Sequence, residues 1–115
     1  MKLDFSSCRI FIQPGSTDMR KHINGLSSYV AGSMHLNVFE ESVFVFCGKS
    51  RTTIKILYWE RNGFCLWVKR LERDKFPWPA TQKEAMEISR ERLLMLLSGI
   101  DFWHEHKAIN YTNVI

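Results

Sequence analysis

The apolar positions of the chain change period twice. Arg9 to Gln13 reads as a short strand, stopped by the turn pair Pro14-Gly15. Ser16-Thr17-Asp18 then offers a helix N-cap with an acid in the first turn. Met19, Ile23, Leu26 and Val30 follow at i, i+4, i+7 and i+11, which is one face of a helix. Arg20, Lys21, Asn24 and Ser27 fall on its other side. The spacing predicts a helix from about Thr17 to Ala31, with Gly32 as its stop. Gly25 inside it costs about 1 kcal/mol against alanine, so the helix depends on packing.

The centre reads as a β-meander. Val43 to Cys47, Thr52 to Trp59 and Phe64 to Leu71 are rich in β-branched and aromatic residues. Asn62-Gly63 is a strong turn signal, and a three-residue loop with Gly63 in the left-handed conformation predicts a definite register. It pairs Tyr58 with Leu66, Ile56 with Val68 and Ile54 with Arg70. One face then carries Ile54, Ile56, Tyr58, Leu66 and Val68 as a core face. The other carries Lys55, Leu57, Trp59, Cys65, Trp67 and Lys69. A slip of one residue would exchange the faces, while alternation within each strand survives any register.

Pro77 and Pro79 end the meander, and Glu84 to Ile88 reads as a short edge strand. Ser89 caps a last helix with Leu93, Leu94 and Leu97 as its buried stripe and Gly99 at its stop. Phe102-Trp103 is expected to fold back on the core, and the chain beyond His106 has no period. The expected fold is therefore α+β: an antiparallel meander of three or more strands packed with an N-terminal and a C-terminal helix. Residues 1–115 form one domain, with its body at about 9–103 and a loose tail at 104–115.

Composition adds little until charge is divided by position. Hydrophobic residues are 45% and charged residues 24%, the balance of a globular domain and not of a disordered or collagenous chain. The formal charge is +4. Residues 49–78 hold eight basic and three acidic groups, so this segment alone is +5. It also holds all but one of the tryptophans. The excess permits an anionic partner. Three scattered cysteines, with no CxxC, exclude a disulfide framework and a zinc ribbon and suit a reducing cytoplasm. The first residues lack the apolar core of a signal peptide. No apolar run is longer than that of Leu93 to Leu97, which is far short of a membrane span.

The second sheet face carries the candidate chemistry. In the expected register Lys55 and Lys69 lie opposite each other, which is destabilising without a counter-anion, and Trp59 and Trp67 flank them. Basic groups between aromatic plates suit a phosphate backbone and stacked bases. The competing reading packs the aromatics under the N-terminal helix and lets the lysines snorkel past it. Arg20-Lys21 is a second basic site, open equally to being a solvated helix face. Lys49-Ser50-Arg51 is a weaker one, in a turn. His104 and His106 have no third ligand at useful spacing, so no metal or other cofactor is expected. No GxSxG, Walker A or HExxH pattern occurs, and no catalytic residue is expected.

Several pieces in order carry a family resemblance. They are Thr17-Asp18-Met19-Arg20-Lys21, Gly25-Leu26, Val43-Phe44-Val45-Phe46, Ile54-Lys55-Ile56-Leu57-Tyr58-Trp59, Gly63-Phe64, Lys69-Arg70-Leu71-Glu72, Phe76-Pro77-Trp78-Pro79 and Leu96-Leu97-Ser98-Gly99-Ile100-Asp101. The set resembles the TnpB-type accessory proteins of the insertion-sequence-66 family, the product of the element's second open reading frame. The resemblance implies a bacterial cytoplasmic protein that assists DNA transposition beside a larger transposase and another accessory subunit. It brings no catalytic residue and no cofactor. The chain departs from the family pattern at His22, where a glycine is usual, at the turn Cys47-Gly48-Lys49-Ser50-Arg51, and at Asn37-Val38-Phe39. Joined to the charge pattern, it suggests Arg20, Lys21, Lys55, Trp59, Trp67, Lys69 and Arg70 as DNA-contacting residues. The alternatives are a protein adaptor without DNA contact and a decayed, inactive copy.

Overall fold

The structure is a computed structural model and describes residues 8–80 and 85–100. Five strands, β1 (Arg9–Ile12), β2 (Ser42–Cys47), β3 (Thr53–Glu60), β4 (Gly63–Arg70) and β5 (Met86–Ile88), form one sheet in the order β4-β3-β2-β1-β5. The meander β2-β3-β4 is antiparallel as expected. The sheet as a whole is mixed, because β1 lies parallel to β2, and this corrects the purely antiparallel expectation. The physical reason is the connection. The segment between β1 and β2 contains helix α1 (Ile23–Tyr29), and a crossover of that length lets the chain return in the same direction.

Both faces of the sheet are covered. On one side, Ile10, Ile12, Val45, Ile54 and Ile56 pack with helix α2 (Arg90–Leu97) and with Phe76 and Trp78. On the other, Phe11, Phe44, Phe46 and Leu57 pack with Leu26 and Val30 of the first helical segment. Accordingly β2 is buried along its whole length. Trp78 ties the segment following the meander to the β1 end, since its indole Nε1 donates to the Gln13 and Gly15 carbonyls at 3.1 and 2.9 Å.

The first helix starts later than its spacing predicts, at Ile23, with His22 as N-cap. Thr17 to Lys21 instead forms a turn, in which the Lys21 N–H donates to the Asp18 carbonyl. Lys55 explains the difference, because its ammonium takes the carbonyls of Met19 and Lys21 that a helix would have used. The helix also runs past Gly32 as a π-helical turn, Val30–Met34, and ends where His35 adopts a left-handed φ of 57°. At the C-terminal helix, Ser89 is the cap, with its side chain accepting from the Arg92 N–H. Its buried stripe is Leu93, Leu96 and Leu97, while Leu94 is exposed. Gly99 follows with a positive φ of 82°. Phe102, Trp103, His104, His106 and the expected tail lie outside the described residues.

The β3–β4 register differs from expectation by one residue. Arg61 takes a left-handed φ of 54° and makes a two-residue loop, so that Glu60 faces Gly63. Tyr58 pairs with Cys65, Ile56 with Trp67 and Ile54 with Lys69. The slip moves Leu66 and Val68 to the α1 side with Lys55, and moves Trp67 and Lys69 to the α2 side.

Candidate nucleic-acid interface

The expected cross-strand lysine pair does not form, because Lys55 faces Val68 and Lys69 faces Ile54. Lys55 is 6% exposed. Its ammonium donates to the Met19 carbonyl at 2.8 Å and the Lys21 carbonyl at 2.7 Å, with His22 Nδ1 at 3.4 Å. Its stem lies under the entry to α1, as the snorkelling alternative describes. Lys69 reaches the other way and donates to the Leu97 carbonyl at 2.8 Å. A cation at the C-terminal end of α2 satisfies an orphan carbonyl and meets the negative pole of the helix dipole. Both lysines are thus engaged by backbone oxygens, one on each face of the sheet.

The tryptophans also separate. Trp67 packs against the core beneath α2. Trp59 sits beside the β3–β4 turn in a cluster with Phe64 and Phe39, the ring centroids lying 4.9 to 5.6 Å apart. Nothing in the chain's periodicity marks Phe39, because it reaches this cluster from a loop.

The basic groups of the middle segment gather elsewhere, at the end of the sheet where β2 stops and β3 starts. Here the Thr17 N–H donates to the Cys47 carbonyl, the Leu71 N–H to the Thr52 carbonyl and the Phe76 N–H to the Arg51 carbonyl. These three bonds lash the Asp18–Lys21 turn and the segment after β4 to the β2–β3 turn. Gly48 is required at the junction, since a Cβ there would stand 2.6 Å from Met19 Cγ. Arg20, Lys21, Lys49, Arg51, Arg70, Arg73 and Lys75 share this end with three acids, Asp18, Glu72 and Asp74. Asp18 accepts from the Arg20 guanidinium at 2.7 Å and from its backbone N–H at 2.9 Å, and these bonds hold its carboxyl well below the usual carboxylate range. Arg70 is paired with Glu72 at 3.0 Å. Lys49, Arg51, Arg73 and Lys75 are exposed, and among the described residues their side chains have no ion-pair or hydrogen-bond partner. An open groove lined by Thr17, Arg20, Lys49 and Ser50 runs between the turns.

Of the residues suggested from sequence, the structure brings Arg20, Lys21 and Arg70 together here and leaves Lys55, Lys69, Trp59 and Trp67 apart. The charge count pointed to Lys49, Arg51, Arg73 and Lys75, but their convergence depends on the fold. Below this end, burial pushes the Cys47 thiol up to about 12. A thiol reagent at about pH 8 is therefore expected to label Cys65 while leaving Cys47 untouched until the protein unfolds. Peptide mapping by mass spectrometry checks this, and labelling of both at one rate would contradict it.

The fold and this end define a small three-layer domain with a cationic rim. Among the described residues no His, Cys, Asp or Glu cluster could hold a metal ion, and no helix is long and apolar enough to cross a membrane. The chain belongs to the family of IS66 Orf2 like proteins, whose model matches residues 8–107. It is 38% identical over 106 residues to the uncharacterized protein y4hO of Sinorhizobium fredii (strain NBRC 101917 / NGR234), covering 92% of each chain. It is 30% identical over 94 residues to the uncharacterized protein y4jC of the same strain, covering 82% of this chain and 80% of the relative. No solved structure matches it. The family is a transposition-associated accessory family of an insertion sequence and is not known as catalytic.

Proposed function

We propose that this protein assists transposition of its insertion sequence by gripping the DNA phosphate backbone with the basic end of its sheet, beside the transposase and a second accessory subunit. The supporting observation is the convergence of Lys49, Arg51, Arg73 and Lys75, exposed and without side-chain partners among the described residues. Arg20, Lys21 and Arg70 border them and add to the local field. Their own acids, Asp18 and Glu72, are exposed, and a surface ion pair of this kind is weak enough to be exchanged for phosphate. Such contacts position a protein on DNA without reading its sequence. The chain contributes no chemical step in this reading.

The test is duplex DNA affinity across a salt series. Each phosphate contact contributes about 0.9 to the log–log slope. Replacing Lys49, Arg51, Arg73 and Lys75 by alanine is expected to flatten the slope by about 3 to 4, if each holds one phosphate. Lys69→Ala is expected to leave the slope unchanged, because that ammonium serves the α2 carboxyl end. No binding at low salt, or equal slopes for wild type and the fourfold variant, would overturn the reading in favour of a protein adaptor.

A further inference from the structure

We propose that two copies of this chain join edge to edge through β4, antiparallel about a two-fold axis at Leu66, to make one continuous ten-stranded sheet. This inference is independent of DNA contact.

The two edges of the sheet are treated differently. The β5 edge is three residues long and carries Glu87, which is paired with Arg9 at 2.8 Å. Short charged edges are how sheets avoid pairing with other chains. The β4 edge has eight residues, Gly63–Arg70, an unbroken register with β3 and no proline. Among the described residues no strand lies beyond it. Its middle, Phe64-Cys65-Leu66-Trp67-Val68, is entirely apolar. Glu60 and Gly63 close the hairpin loop. Antiparallel alternation then turns the N–H and C=O of Phe64, Leu66, Val68 and Arg70 outward. Val68 is 51% exposed, and Phe39, packed at a tilt against Phe64, is 60% exposed.

A second copy answers these features better than an unrelated strand, because β4 is complementary to itself when reversed. Aromatic Phe64 stands near one end of the edge, with Arg70 at the other. A two-fold at Leu66 sets Phe64 against the partner's Val68, Leu66 against its own copy and Cys65 against the partner's Trp67. The exposed Val68 is thereby covered by an aromatic ring from the other copy, a favourable cross-strand pair. The partner's Lys69 falls opposite Gly63, whose missing side chain leaves that ammonium room to keep its own Leu97 carbonyl. The partner's Arg70 arrives beside the Phe39–Phe64 rings, where a guanidinium is attracted to the ring face. A parallel arrangement would instead set the cationic ends side by side. An isologous contact of this kind closes at two copies and does not propagate.

The full-length chain in sedimentation equilibrium is expected to give a mass twice its 13.6 kDa. Val68→Lys, on the exposed edge, is expected to weaken self-association at least about tenfold with an unchanged far-ultraviolet spectrum. Leu66→Cys, in a chain whose three native cysteines are serine, is expected to form a 66–66 disulfide on mild oxidation, since directly opposed hydrogen-bonded residues lie within bridging distance. A monomer at every concentration would overturn the proposal, whether the edge is open or covered by the chain's own remaining residues. So would a dimer indifferent to Val68→Lys and lacking the cross-link, or an open-ended polymer.

Discussion

Replacing Lys55 by alanine is expected to lower the stability of the protein by about 4 kcal/mol, a large share of the 5–15 kcal/mol that holds a typical domain together. Two hydrogen bonds from the ammonium reach the carbonyls of Met19 and Lys21. Bonds to charged groups are worth about 1.5–3 kcal/mol, and here their loss strands two acceptors. The buried stem adds about 0.8 kcal/mol per methylene lost. Lys55→Met keeps most of that stem and is expected to cost about 2 kcal/mol, because the loss of both bonds is partly offset by no longer burying the ammonium. Urea unfolding followed by circular dichroism separates the two variants. An alanine variant with the wild-type midpoint would show that the ammonium does not hold the turn before α1.

Trp78→Ala is expected to be at least as costly, about 4–5 kcal/mol, and to leave little folded protein at 37 °C. The ring is 6% exposed in the core under α2, and truncating such a tryptophan typically costs about 3–5 kcal/mol. Its N–H also serves two carbonyls, Gln13 and Gly15, at the end of β1. A neighbouring backbone bond, from the Gly15 N–H to the Pro79 carbonyl, depends on the same approach. Trp78→Phe retains most of the packing and is expected to lose only about 1–2 kcal/mol. Thermal melts of the two variants should therefore differ widely. Equal melting points would mean that the indole N–H, rather than the ring, supplies the contact.

What could be read from the sequence depended on how local its cause is. The face formed by Leu26 and Val30 is set by helical spacing alone, and both residues are buried where that spacing puts them. Ser89 caps the last helix through a bond only three residues long. The start of α1 was not legible, because it is decided by Lys55, which reaches Met19 and Lys21 from another strand. The β3–β4 register failed for a subtler reason. Asn62-Gly63 suggests that glycine supplies the left-handed residue, yet Arg61 supplies it and shortens the loop. That single displacement puts Lys69 and Trp67 on the opposite face and removes the lysine pair that the sequence suggests. The concentration of positive charge in residues 49–78 was plain from counting. Counting cannot separate ammonium groups spent on backbone oxygens, at Lys55 and Lys69, from the free groups at Lys49, Arg51, Arg73 and Lys75.

The position of β1 governs the order in which this protein can be assembled. It is synthesised before the other four strands, yet it lies between β2 and β5 and pairs with residues 42–45 on one side and 86–88 on the other. Pairings so distant in the chain form late and slowly, because the intervening loop must be closed first. Until Met86–Ile88 has been synthesised, β1 has an open border and Ile10 and Ile12 lack part of their cover. A partly made chain is therefore a sticky one, and a nascent chain truncated before β5 would be a substrate for chaperones and proteases rather than a smaller version of the same fold.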